Sequence, residues 1–315
     1  MATLLLCCCG LVHADANFPS APIELIVPFT PGGLTDTIAR FFTRQMASQL
    51  GQTIEISNYP GRQAPAGLRR LMQARPDGHT LLVVTVPHVA NAMLIPKSGY
   101  TGIDQLRGIA FVTAAPQVIV VSAGSPVRSL QDLTQAARTD TLQAGTAGTG
   151  STAHLAAALF SDVVDTDLRP IAYPEGGGAI QALLKNEVDV VFANIQEILP
   201  PLRTGQLRAL AVTDQKRHPL LPDVPTTAEA GMKDLLSESW TAVVAPKDTP
   251  EQALVFYSGA LEQLFANPHT HQQATDMGLT IRLVGHQDFE KHMQEEVQKL
   301  QELIHKHHIT PGWVE

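Results

Sequence analysis

The N-terminal third of this chain alternates strand-like and helix-like segments, and that order restricts the fold more than any other feature of the sequence. Apolar β-branched runs predict the strands, and apolar residues at helical spacing predict the helices between them. The predicted strands cover residues 23–29, 53–58 and 79–86, and the predicted helices cover residues 35–50 and 67–74. Strands and helices in this order form a parallel sheet with helices on both faces.

A second unit of the same kind begins near residue 117. Its predicted strands are residues 117–123, 141–148, 168–173, 188–195 and 207–213, and its predicted helices are residues 129–137, 152–160 and 179–184. From Trp240 the chain returns to a strand and then ends in two long amphipathic helices. We therefore expect an α/β fold of two lobes, with residues 17–121 and 239–315 in one lobe and residues 122–238 in the other. Two crossovers form a hinge, and the cleft between the lobes is the expected ligand site.

Three glycine-rich loops follow predicted strands and open predicted helices. They are residues 30–36 (TPGGLTD), 145–154 (GTAGTGSTAH) and 173–179 (YPEGGGA). Each loop leaves backbone N–H groups free at the positive end of a helix dipole, which is a site for an anion. Thr35, Thr149, Ser151 and Thr152 add hydroxyl donors. Glycine also serves in ordinary turns, but three such loops in the two halves of one cleft favour ligand binding.

Composition limits the partners of this chain. Its 315 residues are 44% hydrophobic and 17% charged, which is typical of a globular protein with a large core. The formal net charge of -8 argues against a nucleic-acid partner, because phosphate neutralisation needs clustered lysine and arginine. An anionic ligand would have to be bound by local dipoles and not by the overall field of the protein.

Residues 1–16 resemble a signal peptide, because a short apolar core precedes the small-x-small pattern of residues 14–16. The segment is too short for a transmembrane helix. It lacks the positively charged N-terminal region of a typical signal peptide, so the position of the true start codon is open. A buried N-terminal strand is the alternative. All three cysteines lie at residues 7–9, so cleavage leaves a chain without cysteine. Leu5 and Leu6 are not the small residues that precede a lipidated cysteine. We expect a periplasmic protein without a lipid anchor.

The glycine loops do not match the usual nucleotide motifs, and the histidines do not match a metal site. The GTAGTGST loop lacks the lysine of a P-loop, and neither PGG nor EGGG has the spacing of the dinucleotide fingerprint. His269, His271, His305, His307 and His308 have no cysteine or carboxylate companion at metal-ligand spacing. We expect no cofactor and no metal.

A catalytic interpretation of the second loop is the main alternative to binding. Ser151 and His154 lie three positions apart at a helix start and could form a nucleophile–base pair. Such a pair needs an orienting carboxylate, and no nucleophile-elbow motif is present. We interpret Ser151 as a cap or ligand donor and His154 as a packed residue. Asp36 could act as a general base, but an acid in the first turn of a helix more often caps it.

Several blocks of the sequence, in the same order, carry a family resemblance. They are IELIVPFTPGGLTDTIAR, ARPDGHTLL, AGTAGTGSTAHL, LRALAVTDQKRHPLLPDVPTTAEAG and SESWTAVVAPKDTP. With these blocks the chain resembles, from about residue 19 to its end, the tripartite tricarboxylate transporter receptor family. Its members are extracytoplasmic solute-binding proteins, also called Bug proteins.

The resemblance implies a two-lobed, type II periplasmic-binding-protein fold that closes on a small carboxylate. It also implies that residues 31–36 contribute backbone contacts, partly through ordered water, and that residues 146–152 bind the distal carboxylate. The candidate ligand-binding residues are Thr30, Pro31, Gly32, Gly33, Leu34, Thr35, Asp36, Thr85, Gly145, Thr146, Ala147, Thr149, Gly150, Ser151, Thr152, His154, Tyr173, Gly176, Ala193 and Asn194.

The chain departs from the family pattern at three places that bear on the ligand. Glu175 and three glycines stand where the family commonly has lysine or arginine with one glycine, which weakens the case for a multiply charged ligand. Ala193 stands where the family often has aspartate, which removes an acceptor for an ammonium group and weakens the case for an acidic amino-acid ligand. Residues 62–67 differ from the family's glycine-rich segment, and Arg62 there could pair with an anion or lie in solvent.

The leading hypothesis is a periplasmic receptor for a small organic acid, a mono- or dicarboxylate, which it presents to membrane transporter subunits. A sensor that feeds a two-component system is the first alternative. An enzyme that uses Ser151 and His154 on the same fold is the second. We expect a monomer that binds no nucleic acid.

Overall fold

The structure is a computed structural model that describes residues 18–60, 65–95, 105–306 and 308–309. The expected signal peptide, residues 1–16, lies outside the described residues, and so does Arg62. Within the described ranges, no helix is both long enough and apolar enough to cross a membrane.

Helices and strands alternate along most of the described chain. The elements are β1 (Ile23–Val27), α1 (Leu34–Leu50), β2 (Ile54–Asn58), α2 (Pro65–Met72), β3 (Thr80–Thr85), α3 (Val86–Leu94), β4 (Leu106–Ser122), α4 (Leu130–Thr139), β5 (Gln143–Thr146), α5 (Thr152–Val163), β6 (Arg169–Ala172), α6 (Gly176–Leu184), β7 (Val190–Asn194), α7 (Ile195–Arg203), β8 (Leu207–Val212), β9 (Glu238–Pro246), α8 (Glu251–Phe265), α9 (Pro268–Asp276), β10 (Thr280–Val284) and α10 (His286–Lys306).

The strands form two sheets that share β4. In the first sheet β2, β1 and β3 are parallel, as predicted, and β9 and β4 continue the sheet with antiparallel pairing. In the second sheet β6, β5 and β7 are parallel, and β4 pairs antiparallel with both β7 and β8. Residues 106–116 of β4 pair with β9, and residues 117–122 pair with the strands of the second sheet. One continuous strand therefore joins the two halves of the molecule.

Each sheet is covered by helices on both faces, because each face carries its own apolar cluster. In the first sheet, α1 and α8 pack on one face, and α2, α3 and α10 pack on the other. In the second sheet, α4 and α5 pack on one face, and α6 and α7 pack on the other. The strands are therefore buried from both sides, which explains their continuous apolar sequences.

Local sequence signals explain several boundaries. Ile38, Phe42 and Met46 recur at helical spacing and are buried on one face of α1, as predicted. Gly51 ends this helix in the left-handed conformation, with a φ of 62°. Ser129 caps α4, since its side chain accepts a hydrogen bond from the N–H of Asp132 at 3.1 Å.

Other boundary predictions were wrong, each where tertiary pairing decides the structure. Residues 106–116 belong to β4, although only residues 117–123 were predicted as a strand. Two short helices, α3 and α7, begin immediately after β3 and β7, so Val86 and Ile195 are helical and not extended. The C-terminal part has a third helix, α9, and a strand, β10, besides the two predicted helices.

A glycine in β4 allows the long C-terminal helix to pack directly on the sheet. A Cβ atom at Gly108 would overlap the ring of Phe289, which belongs to α10. Phe289 is 1% exposed and packs against Phe111, with ring centroids 4.9 Å apart. The ring is therefore held between Gly108 and the apolar core.

We expect Gly108→Ala to destabilise the protein by about 2–3 kcal/mol, because overpacking a dense core typically costs about 1–3 kcal/mol. Gly259→Ala is the matched control, since a Cβ there meets no atom within 4 Å in the middle of α8. The control should stabilise the protein by roughly 0.5–1 kcal/mol through helix propensity. Urea unfolding of both variants measures these changes, and equal stabilities would contradict the packing argument.

Candidate ligand-binding site

A cleft of about 380 Å³ opens where the two sheets meet. Its floor comes from the two antiparallel strands β4 and β9, which contribute Thr113, Gln117, Ser239, Trp240 and Thr241. Its walls come from the loops that precede α1, α5 and α6. The volume falls within the range of roughly 300–1,000 Å³ that is typical of small-molecule sites.

The structure places part of the predicted set in this cleft. The predicted residues that line it are Gly32, Gly33, Leu34, Thr35, Thr85, Ala147, Ser151, Thr152, Gly176 and Asn194. All three glycine loops therefore reach the same cavity, together with the ends of β3 and β7.

The other predicted residues lie behind the cleft surface or at its margin. They are Thr30, Pro31, Asp36, Gly145, Thr146, Thr149, Gly150, His154, Tyr173 and Ala193. Ala193 belongs to the apolar cluster under α6 and α7. The backbone N–H of Tyr173 donates to the carbonyl of Thr146 at 2.9 Å. This hydrogen bond joins the second and third glycine loops where they leave β5 and β6.

In the first loop, Asp36 determines the backbone conformation. Its carboxylate accepts hydrogen bonds from the N–H of Gly32 at 2.9 Å, from Arg40 Nε at 2.8 Å and from Asn58 Nδ2 at 2.9 Å. Gly32 adopts a φ of 81°, which a residue with a side chain rarely adopts. Burial acts to raise the pKa of Asp36, but the hydrogen bonds from Arg40, Gly32 and Asn58 hold it below its usual value. Asp36 is thus a charged structural residue of the first turn.

The second loop is organised around His154, which is 1% exposed. Its ring Nδ1 accepts the N–H of Gly150 at 2.9 Å, and its backbone N–H donates to Ser151 Oγ at 3.1 Å. Burial lowers the pKa of His154 to about 4, so the ring is neutral at pH 7. The hydrogen bond between Ser151 and His154 thus joins the Ser151 hydroxyl to the backbone N–H of His154 and not to its imidazole ring. It is a helix cap and not the contact of a nucleophile with a base. Thr149 Oγ1 is buried without a hydrogen-bond partner among the described residues.

The third loop brings acidic groups to the cleft. Glu175 precedes α6 and its carboxylate accepts the hydroxyl hydrogen of Thr30, which lies in the first loop. This hydrogen bond connects loops from the two halves of the molecule. A second carboxylate, that of Glu197, lies so close to Gly176 that a Cβ atom at position 176 would overlap Glu197 Oε1. The N-terminus of α6 is therefore next to two carboxylates of the protein itself.

The starts of α1 and α5 present free donors to the cleft. The N–H groups of Leu34 and Thr35, and those of Thr152 and Ala153, have no acceptor among the described residues. All four residues line the cavity. Lysine, arginine and histidine are absent from the described lining, so these amides and the neighbouring hydroxyls are the positive end of the site.

Sequence reasoning missed several polar residues of the cleft, among them Gln117 and Glu197. Both left a signal. Gln117 interrupts a long apolar run, and a buried polar residue in a strand needs a partner. Asn194 and Glu197 have the spacing of a capping box, and the structure shows that box at the start of α7.

Within the described chain, no group of three or more histidine, cysteine, aspartate or glutamate side chains is arranged to hold a metal ion. His307 lies outside the described residues.

Two sheets that share a strand, covered by helices and separated by a cleft with helix N-termini, define a two-lobed solute-binding protein. A family model described as the tripartite tricarboxylate transporter family receptor matches residues 38–309. The chain belongs to this family, as the resemblance implied. The family and its structural neighbours are binding proteins and not enzymes.

Known proteins of this kind cover nearly the whole chain. The protein BugT of Bordetella pertussis is 33% identical over 248 residues, which is 78% of this chain and 76% of BugT. An R. palustris protein solved with adipate superposes with a TM-score of 0.88 at 26% identity, covering 93% of this chain and 99% of that one. MatC from Rhodopseudomonas palustris, solved with malate, gives a TM-score of 0.81 at 31% identity, covering 91% and 100%.

We expect Asp36→Asn to destabilise the protein by roughly 1–3 kcal/mol at pH 7, because buried hydrogen-bond acceptors lose their charge. The pKa of Asp36 is lowered from 3.8, so its stabilisation is present above that pH and is lost as pH falls through the lower, folded value. The difference between wild type and variant should therefore shrink below about pH 4. Urea unfolding at pH 7 and pH 3 tests this, with Asp223→Asn, at an exposed position, as control. A difference that does not depend on pH would contradict the role of the charge.

Proposed function

We propose that this chain is a periplasmic receptor that binds a small organic carboxylate in the cleft and presents it to a tripartite tricarboxylate-type membrane transporter. In this proposal residues 1–16 are removed during export, and the receptor acts as a monomer. Periplasmic binding proteins among the structural neighbours support the location.

The observation that carries the proposal is the pair of helix starts that face one cleft whose described lining has no cationic side chain. Unpaired N–H groups at the starts of α1 and α5, with the hydroxyls of Thr35 and Thr152, suit the oxygens of a carboxylate. Charge-assisted hydrogen bonds of this kind contribute roughly 1.5–3 kcal/mol each. Several of them can hold an anion although the protein as a whole is negative.

The known relatives support the same class of ligand. The R. palustris protein was solved with adipate, and MatC was solved with malate. Both compounds are small carboxylates that would fit a cleft of about 380 Å³.

We also propose that the two lobes, residues 17–121 with 239–315 and residues 122–238, close around the ligand by bending at the strands that cross between them. The hydrogen bond between Thr30 and Glu175 then acts as a contact of the closed form, since it joins the two lobes across the cleft. Hinge closure of this kind is a common switch in binding proteins.

A thermal-shift panel on protein that has been unfolded and refolded, to remove carried-over ligand, tests the proposal. The panel contains mono-, di- and tricarboxylates, aromatic acids, and the neutral amides of the same compounds. A ligand at 100 times its Kd adds about 2.7 kcal/mol of stability. At least one carboxylate should raise the Tm while its amide does not. Shifts from the neutral amides alone would overturn the proposal.

We expect the double variant Thr35→Val with Thr152→Val to bind the best carboxylate of that panel at least about tenfold more weakly, a loss of about 1.4 kcal/mol. Each substitution removes a hydroxyl donor with little change of shape. Thr139→Val, at an exposed position at the end of α4, is the matched control. Isothermal titration calorimetry measures the affinities. Equal affinity in the double variant and the control would place the carboxylate elsewhere.

A further inference from the structure

Gln117 has an unusual position in the cleft floor. It is 0% exposed, and it stands where β4 ends its pairing with β9 and begins its pairing with β7. Its backbone N–H donates to the carbonyl of Ser237 at 3.1 Å, and its carbonyl accepts from the N–H of Thr213 at 2.9 Å. The backbone is therefore held firmly, and the side chain faces the cleft.

A chain of hydrogen bonds fixes which atom of the Gln117 amide faces the ligand. Asn194 donates from its backbone N–H and from Nδ2 to Glu197 Oε2, at 3.2 and 3.3 Å. Because Nδ2 of Asn194 is a donor there, its Oδ1 must be the acceptor of Gln117 Nε2 at 2.8 Å and of Ser239 Oγ at 2.7 Å. The Gln117 NH₂ group thus donates its hydrogen bond to Asn194, so the Gln117 amide oxygen is the atom that remains for a ligand.

Gln117 Oε1 is left buried, with no hydrogen-bond partner among the described residues. A buried amide oxygen without a donor is unfavourable, and native structures rarely keep one unless a ligand or water supplies the donor. Because Gln117 lines the cleft, the ligand is the natural source of that donor.

Glu197 adds a second acceptor to the same part of the cleft. Its Oε2 is occupied by Asn194, whereas its Oε1 accepts no hydrogen bond from a described residue and lies against Gly176. Burial raises the pKa of Glu197, the hydrogen bonds from Asn194 oppose this shift, and Glu175 adds to it. A nearby positive group would offset both the burial and the repulsion between the two glutamates.

Donors and acceptors are therefore divided within one cleft. The starts of α1 and α5 offer donors, whereas Gln117 and Glu197 offer acceptors without a cation beside them in the described lining. A dicarboxylate that binds one end to the helices would place its second carboxylate against oxygens that repel it.

We infer that the ligand is a carboxylate whose other end carries an N–H donor, as in an ω-amino acid, with Gln117 Oε1 and Glu197 as the acceptors of that group. This inference rests on the proposed carboxylate-binding function. Ala193 cannot accept a hydrogen bond from an ammonium group as an aspartate at that position would. In this inference Gln117, on β4, and Glu197, on α7, accept those hydrogen bonds instead.

The test compares six probes that pair a diacid with the amino acid of the same chain length. They are succinate with 4-aminobutanoate, glutarate with 5-aminopentanoate, and adipate with 6-aminohexanoate. Calorimetry on the refolded full chain measures each affinity. At one or more lengths the amino acid should bind at least tenfold more tightly than its diacid.

Diacids that bind as tightly as the amino acids, or more tightly, at every length would overturn the inference and leave the proposed function standing. Absence of binding by all six compounds would also overturn the inference, whereas the proposed function would still be decided by the wider carboxylate panel. Because these outcomes concern the wild-type protein, they do not depend on the folding of any variant.

Glu197→Gln gives a second, sharper readout. The new amide oxygen must accept from Asn194, so its NH₂ group takes the place of Oε1, and an acceptor becomes a donor. We expect the preferred amino acid to bind at least tenfold more weakly, and its matched diacid to bind about threefold or more tightly.

A merely structural role of Glu197 would weaken both probes together, and that result would count against the inference. Glu187→Gln is the matched control, because Glu187 is exposed and does not line the cleft. The control should leave both affinities unchanged.

Discussion

The shared strand β4 is the constraint on which the rest of this structure depends. A single run of 17 residues provides main-chain hydrogen bonds to β9 in one sheet and to β7 and β8 in the other. Nearly all of it is buried, so its backbone groups have no access to water and must be paired within the sheets. One strand thus joins the two sheets, and the strands that lead into α1 and α5 connect to it through β3 with β9 and through β7.

The electrostatic arrangement of the cleft depends on helix starts and on two glutamates. The protein has a net charge of -8 and places two glutamates in the cleft lining, yet two helix starts remain open to an anion. Helix dipoles act only within the first turn, so they can attract a carboxylate locally without changing the overall field. The third glycine loop, expected from the sequence to resemble the other two, has its helix start beside the carboxylates of Glu175 and Glu197. In the proposed mode of binding this loop contributes selectivity and not attraction.

The sequence was sufficient for the elements whose signals are local. The predicted helices 35–50, 129–137 and 152–160 correspond to α1, α4 and α5, and Gly51 and Ser129 are the local signals at the end of α1 and the start of α4. Elements that depend on pairing between distant segments could not be predicted from the local sequence. The first residues of β4 pair with β9, more than a hundred positions away, and nothing near residues 106–116 announces that partner. The partner of Gln117 could not be predicted for the same reason, since the pairing of β4 with β7 brings Asn194 beside it. The spacing of Asn194 and Glu197, in contrast, was a local signal.

The close approach of Glu197 to Gly176 also restricts how this binding protein could change over evolutionary time. A Cβ atom at position 176 would overlap the Glu197 carboxylate, so any side chain there requires this carboxylate, which is the end of a flexible side chain, to move. Shortening residue 197 would remove both the collision and one acceptor in a single step. A change at position 176 would therefore also move the Glu197 carboxylate, so the two positions are coupled in any change of the cleft.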